Sequence, residues 1–221
     1  MALVVPTLGE MSGKLGGLVF FRNKGGLCVR AFAVPTNPNS ARQQATRNWV
    51  AWCASSWESV LTEVQRAQWR EWAQTHTWLN ALGQTINLTG LNWYTMVNTR
   101  LLDVAATPLA TPGDISAPDP LLTMALTLTD AVTISLAFTP VLESGYRIVA
   151  WGSGPISAGA NPNFRQCRLI GYSAADVATP AALTLPYTLQ DGCKLKVYAG
   201  IMSDRGRYSV LLVDDAIYTA P

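Results

Sequence analysis

Apolar and polar residues alternate with two different periods along this chain, and the change between them marks its organisation. From residue 121 onward the period is two: Val132, Ile134, Leu136 and Phe138 are separated by Thr133, Ser135 and Ala137, the pattern of a strand with one buried face. Further runs at 124–129, 146–151, 166–172, 182–188, 195–202 and 208–213 make seven short strands in the last 101 residues, with turn residues between them. That density predicts a β-sandwich of the immunoglobulin or fibronectin type III kind. Between residues 40 and 103 the period is helical. Ser40 is placed to cap a first helix whose Ala45, Trp49, Trp52, Cys53 and Ser56 share a stripe. Thr62 with Gln65 spells a capping box opening a second helix, with Trp69, Trp72 and Ala73 on one side. The short link between them predicts an antiparallel helical hairpin. A third helix is expected over 91–103, with Tyr94, Val97 and Leu101 along one edge.

The first 39 residues read differently. Strand-like runs at 18–22 and 27–32 flank Asn23, Lys24, Gly25 and Gly26, which suit a tight hairpin turn. No third strand is evident in the pattern, and a two-stranded hairpin alone is marginal in water. It is expected to lie on this chain's own body, to add to a neighbour's sheet edge, or both. Gly9, Gly13, Gly16 and Gly17 make the preceding stretch pliable, and Pro35 and Pro38 keep the following one extended. Pro108, Pro112, Pro118 and Pro120 mark residues 104–120 as a semi-rigid linker. The expected layout is therefore an α+β multidomain chain: a basic arm with a β-hairpin (1–39), a small three-helix module (40–103), the linker (104–120) and a seven-stranded sandwich (121–221).

Composition sharpens this picture in one place. The net charge is only +2, but residues 1–50 carry Lys14, Arg22, Lys24, Arg30, Arg42 and Arg47 against Glu10 alone. Such an arm suits docking onto an acidic surface. It has no block of five or six like charges, and its arginines are interleaved with apolar strand residues, which favours a protein partner over nucleic acid. Seven of the eight tryptophans fall between Trp49 and Trp93. Three short helices hold little aliphatic material, so indoles are expected as core filler, with Trp57 or Trp78 as alternative interface anchors. The four cysteines, Cys28, Cys53, Cys167 and Cys193, lack the short spacings of a zinc or redox site and are expected as reduced thiols. No run approaches the length of a membrane helix, and the N-terminus lacks a basic region followed by an apolar one.

The residues needed for familiar catalysis do not assemble. The segment GEMSGKL at Gly9 has three residues between its glycines where a phosphate loop needs four, and Leu15 follows Lys14 where a hydroxyl should stand. His76 is the single histidine and falls at an expected helix end, where terminal carbonyls are its natural partners. The adjacent carboxylates Asp214 and Asp215 follow the last expected strand and read as a solvated turn. No catalytic residue, metal or cofactor is expected.

The run FFRNKGGLCVRAFAVPTNPNSARQQATRNWVAW from Phe20, with LTEVQRAQWREWA, LGQTINLTGLNWYTMVN and the sandwich tail, resembles a family of small virion-associated proteins encoded by tailed bacteriophages and prophages. The resemblance covers nearly the whole chain and is tightest over residues 20–100. One departure touches the tail, where fibronectin-type domains usually carry a tyrosine near position 195 and this chain reads CKLKVYA. What the resemblance implies is a structural protein of the virion, assembled in the host cytoplasm. A capsid decoration or cement protein docking through its arm is the first expectation, and a tail, neck or baseplate component the second. The expected partners are the major capsid protein or other virion subunits, with homo-oligomerisation within the particle. Contact residues are expected at Phe20 and Val29 as strand-face anchors and at Arg22, Lys24 and Arg30 as ion-pair donors, with Trp49 and Trp52 supporting them from the core. A third expectation is host-glycan binding by the C-terminal domain, for which Trp151, Tyr172 and Tyr187 are the candidate aromatics.

Overall fold

The computed structural model describes residues 2–4, 11–34, 37, 39–80 and 82–220. Gly9, Pro35 and Pro38, to which the sequence assigns pliability or extension, lie outside the described residues. Among those described the chain is α+β, with three helices and several antiparallel sheets, and it divides into two units, Met1–Gly113 and Asp114–Pro221.

The first unit opens with strands β1 (Ala2–Val4), β2 (Gly13–Leu15), β3 (Leu18–Asn23) and β4 (Gly26–Ala31), in the order β1-β4-β3-β2. The expected hairpin is therefore not alone: β1 pairs with β4 and β2 with β3, so this chain supplies both flanking strands itself. The turn between β3 and β4 is Lys24–Gly25, where the Asn23 side chain accepts the Gly25 N–H at 2.8 Å. The turn between β2 and β3 is Gly16–Gly17, and Gly16 takes φ +55°, the first-position requirement of a type II′ hairpin.

Three helices follow: α1 (Ala41–Ser59), α2 (Glu63–Thr75) and α3 (Gly90–Asp103). Each start is capped by a hydroxyl, Ser40 accepting from Gln43 N–H, Thr62 from Gln65 N–H in a complete capping box, and Thr89 from Asn92 N–H. A short ribbon, β5 (Trp78–Leu79) with β6 (Thr85–Ile86), links α2 to α3. Helix α3 is the centre of the packing, meeting both α1 and α2. Its Trp93, Tyr94, Val97 and Leu101 are buried with Trp69 of α2 and Cys53 and Trp57 of α1. One tryptophan assignment from the sequence is corrected here: Trp52, expected in the core, is 43% exposed, whereas Trp57, for which core filler and interface anchor were both open, is buried and meets Tyr94 at 5.5 Å between ring centroids.

The proline-rich stretch also differs from expectation. Its first part is fastened to the helices: the Trp69 indole N–H donates to Ala110 O at 3.0 Å, and the buried Asn98 side chain accepts from Leu109 N–H at 2.6 Å and donates to Leu109 O at 3.2 Å. Two buried polar side chains thus satisfy a loop backbone that the sequence left open.

In the second unit, β7 (Thr123–Leu128), β8 (Thr133–Thr139), β9 (Arg147–Gly152), β10 (Arg168–Tyr172), β11 (Ala181–Thr184), β12 (Lys194–Met202) and β13 (Leu212–Ile217) form sheets of order β11-β8-β7 and β10-β9-β12-β13. Ile134, Leu136 and Phe138 from one sheet and Ile148, Ala150, Leu195, Val197 and Ala199 from the other belong to one buried cluster. The strand expected over 208–213 lies further on: Tyr208 makes only an isolated bridge to Met202, and regular pairing resumes at Leu212. The cause is local, since Ser209 Oγ accepts the Ile201 N–H and donates to Val210 O, holding this stretch as a loop. Asp214 and Asp215 consequently sit within β13 and not in a turn. Asp214 accepts the Leu126 N–H of β7 at 2.8 Å, and Asp215 pairs with Lys194 at 2.7 Å.

Candidate functional site

The N-terminal sheet carries the expected contact residues, and its register decides which of them share a face. Cross-strand partners point the same way and neighbours along a strand point oppositely. Phe20 lies opposite Val29 and Arg22 opposite Leu27, so Phe20, Arg22 and Val29 share one face, together with Leu15 and Leu18. Val19 lies opposite both Lys14 and Arg30, and Phe21 opposite Cys28, so Lys14, Arg30 and Phe21 occupy the other. Lys24 belongs to neither, being at the exposed turn. The five residues singled out from the sequence are thus split between two faces and a turn.

The two ends of the sheet are also unlike. At the turn end the hairpin is anchored: Leu27 and Cys28 are buried, and Asn80 Nδ2 donates to Gly25 O at 3.5 Å. A cleft of about 610 Å³ there is lined by Lys24, Cys28, Trp78, Ile86 and Met96 among others. At the opposite end large apolar side chains meet water: Leu15 is 64% exposed, Phe32 51% and Val34 82%, and Leu18 is close to half exposed. These residues adjoin cations. Lys14 Nζ stands 3.7 Å over the centre of the Phe32 ring and the Arg30 guanidinium 5.7 Å from that of Phe21. From Met11 to Trp57 the chain contains no Asp or Glu.

Sequence reasoning missed β2 and with it the apolar contribution of Leu15. The signal was present, since Gly16-Gly17 between Lys14-Leu15 and Leu18-Val19 is a two-residue hairpin turn between short apolar runs. With only three residues before it, β2 is too short for its alternation to stand out from a glycine-rich, pliable stretch.

Elsewhere the candidate chemistry resolves into structural roles. His76 ends α2, with its Nδ1 2.9 Å from Trp72 O and its ring stacked on Trp72 at 3.7 Å. Burial pushes the Cys53 thiol up to about 11. All four cysteines are free thiols, Cys28 and Cys53 buried, Cys167 and Cys193 partly so. Among the described residues no group of His, Cys, Asp and Glu is placed to hold a metal ion, and no helix is long and apolar enough to cross a membrane. In the second unit Trp151 is flanked edge-on by Phe164 and Tyr208, and the Tyr172 and Tyr208 hydroxyls are 2.9 Å apart. Tyr187 bonds Ser153 O through its hydroxyl, and burial raises it to about 12. Trp151 and Tyr187 are engaged by their neighbours, and the 43%-exposed Phe164 is the aromatic that meets water most openly in this cluster.

No protein-family model matches the chain, and no curated protein matches it.

Proposed function

We propose that the protein is a structural component of a tailed-bacteriophage particle, a decoration or cement protein of the capsid, and that it docks on neighbouring subunits through the distal end of its N-terminal sheet. The observation that carries this reading is the exposure of Leu15 and Leu18 on one face, and of Phe32 beside Lys14 on the other, at one end of a sheet whose other end is anchored. Exposed apolar residues gathered at one end of a sheet and next to cations fit an interface and not a solvated surface. The resemblance of residues 20–100 to phage virion proteins supports the setting. Strand orders β11-β8-β7 and β10-β9-β12-β13 around one cluster support a fibronectin III-type sandwich for the second unit. Repeated on a shell, many contacts of this size act together through avidity.

The reading is tested by incorporation into particles. Leu15→Asp with Phe32→Asp leaves the buried residues Leu27 and Cys28 untouched, so the chain should fold and remain soluble. Its band in purified particles is expected to fall about tenfold or more relative to the unaltered chain, since a buried unpaired carboxylate removes most of a hot-spot contact. Incorporation at unaltered occupancy overturns the docking role. Copy number on the same gel separates the two virion positions, hundreds per particle for a shell protein and about six or twelve for a tail component.

A further inference from the structure

Resting on the docking role of the N-terminal sheet, we infer that the edge of β2 centred on Lys14 receives an extended acidic segment of another chain as an added strand. Among the described residues β2 is the outermost strand on its side of the sheet. Leu15 and Leu18 flank the two-residue turn, and the pair flanking such a turn exchanges hydrogen bonds. Bonded and non-bonded pairs then alternate, so Gly13 bonds to Phe20 while Lys14, between them, turns its N–H and C=O away from β3. The bond from Phe32 N–H to Gly17 O at 2.7 Å agrees with this phase, because it makes Gly17 and Phe32 a bonded pair and directs the polar groups of Leu18 towards β2. The outward N–H and C=O of Lys14 are therefore a ready start for strand addition.

The side chains beside that edge specify the partner. A strand laid along β2 would alternate its residues between the two faces. On one face it meets Lys14, with Arg30 two strands away; on the other it meets Leu15 and Leu18. The complementary segment alternates acidic and apolar residues, its acids facing Lys14 and its apolar residues Leu15; of this chain's own acids only Glu10 is near Lys14 in sequence, and none follows until Glu58. Lysine on an edge strand can also act as a guard against pairing. Lys14 is exposed, but its ammonium lies 3.7 Å over the Phe32 ring, drawn to the face of the sheet.

The test uses the full-length, nitrogen-15-labelled chain at low salt and a ten-residue peptide of alternating Glu and Val, with an alternating Lys and Val peptide as its counterpart. The acidic peptide is expected to shift the Ser12 and Lys14 amides and slow their hydrogen exchange, and to bind about tenfold or more tightly than the basic one. Lys14→Pro removes the outward N–H while the Gly13 and Leu15 bonds to β3 remain, and should abolish that binding with the β3–β4 amides unmoved. Lys14→Gln keeps the N–H and should retain part of it. No binding by the acidic peptide to the unaltered chain, shifts that map away from β2, or binding unchanged by Lys14→Pro in a folded chain would each overturn the inference. These failures are distinct from failure of the docking role: if the Leu15→Asp, Phe32→Asp chain is lost from particles while the peptide leaves β2 untouched, the surface docks through side chains alone.

Discussion

Gly90 occupies a position where the backbones of α2 and α3 leave no room for a side chain. A Cβ built there would stand 2.8 Å from Arg70 N and 2.9 Å from Trp69 C and O, all backbone atoms that cannot swing aside. Gly90→Ala should destabilise the first unit by about 2 kcal/mol or more, the cost of overpacking at a rigid contact, read from urea unfolding followed by tryptophan fluorescence. Asn98 is a second such residue, because its amide satisfies both polar groups of Leu109. Asn98→Ala leaves those groups without their side-chain partner and should cost about 1–3 kcal/mol. Ionisation supplies a third expectation. Burial raises the Cys53 thiol from an ordinary value of 9.0 to about 11 and the Tyr187 phenol from 10.0 to about 12. Both groups hold their protons more tightly folded than unfolded, so their stabilising contributions are intact below pH 9 and pH 10 respectively. Those contributions fade as the pH climbs towards about 11 for Cys53 and about 12 for Tyr187. Denaturant midpoints measured from pH 8 to 12 should fall in that order, the first unit before the second; a flat profile would contradict it.

Elements were legible in the sequence where their determinants are local. Ser40, Thr62 with Gln65, and the Ile134, Leu136, Phe138 alternation carry their own explanation within a few residues, and the structure places caps and a strand there. Determinants that act at long range were not legible. Periodicity along α1 could not tell Trp52 from Trp57, because the difference lies in where α3 passes. The loop at 106–110 reads as a linker until Trp69 and Asn98 are seen to hold it, 41 and 11 residues away in sequence at their contacts with Ala110 and Leu109. The candidate site was half legible: Phe20, Arg22, Val29 and Arg30 lie in the hairpin strands, their split between faces following from the β3–β4 register, but the places of Lys14 and Leu15 depend on β2, which glycine-rich sequence concealed. The hairpin is also part of the first unit's core through Leu27 and Cys28, so removing residues 1–35 would damage the fold as well as the docking surface. Point changes at its distal end are the cleaner probe, and Leu15→Asp should leave the thermal midpoint within about 2 °C, as expected for an exposed position.

At the scale of the molecule, Met1–Gly113 and Asp114–Pro221 each have a buried core of their own. Residues 114–221 expressed alone should therefore unfold cooperatively, with a midpoint close to that of the second transition in the full chain; a fragment without a sharp transition would show that its core depends on the first unit. The proposed docking surface lies wholly in the first unit. The central claim is that the distal end of the N-terminal sheet becomes covered when the chain joins a particle. Amide hydrogen exchange of the chain, free and assembled, measures this most directly. Protection should rise at residues 11–19 and 30–34 on assembly and stay unchanged across β7 to β13. Equal exchange at those N-terminal amides in both states, or new protection confined to residues 114–221, would contradict it.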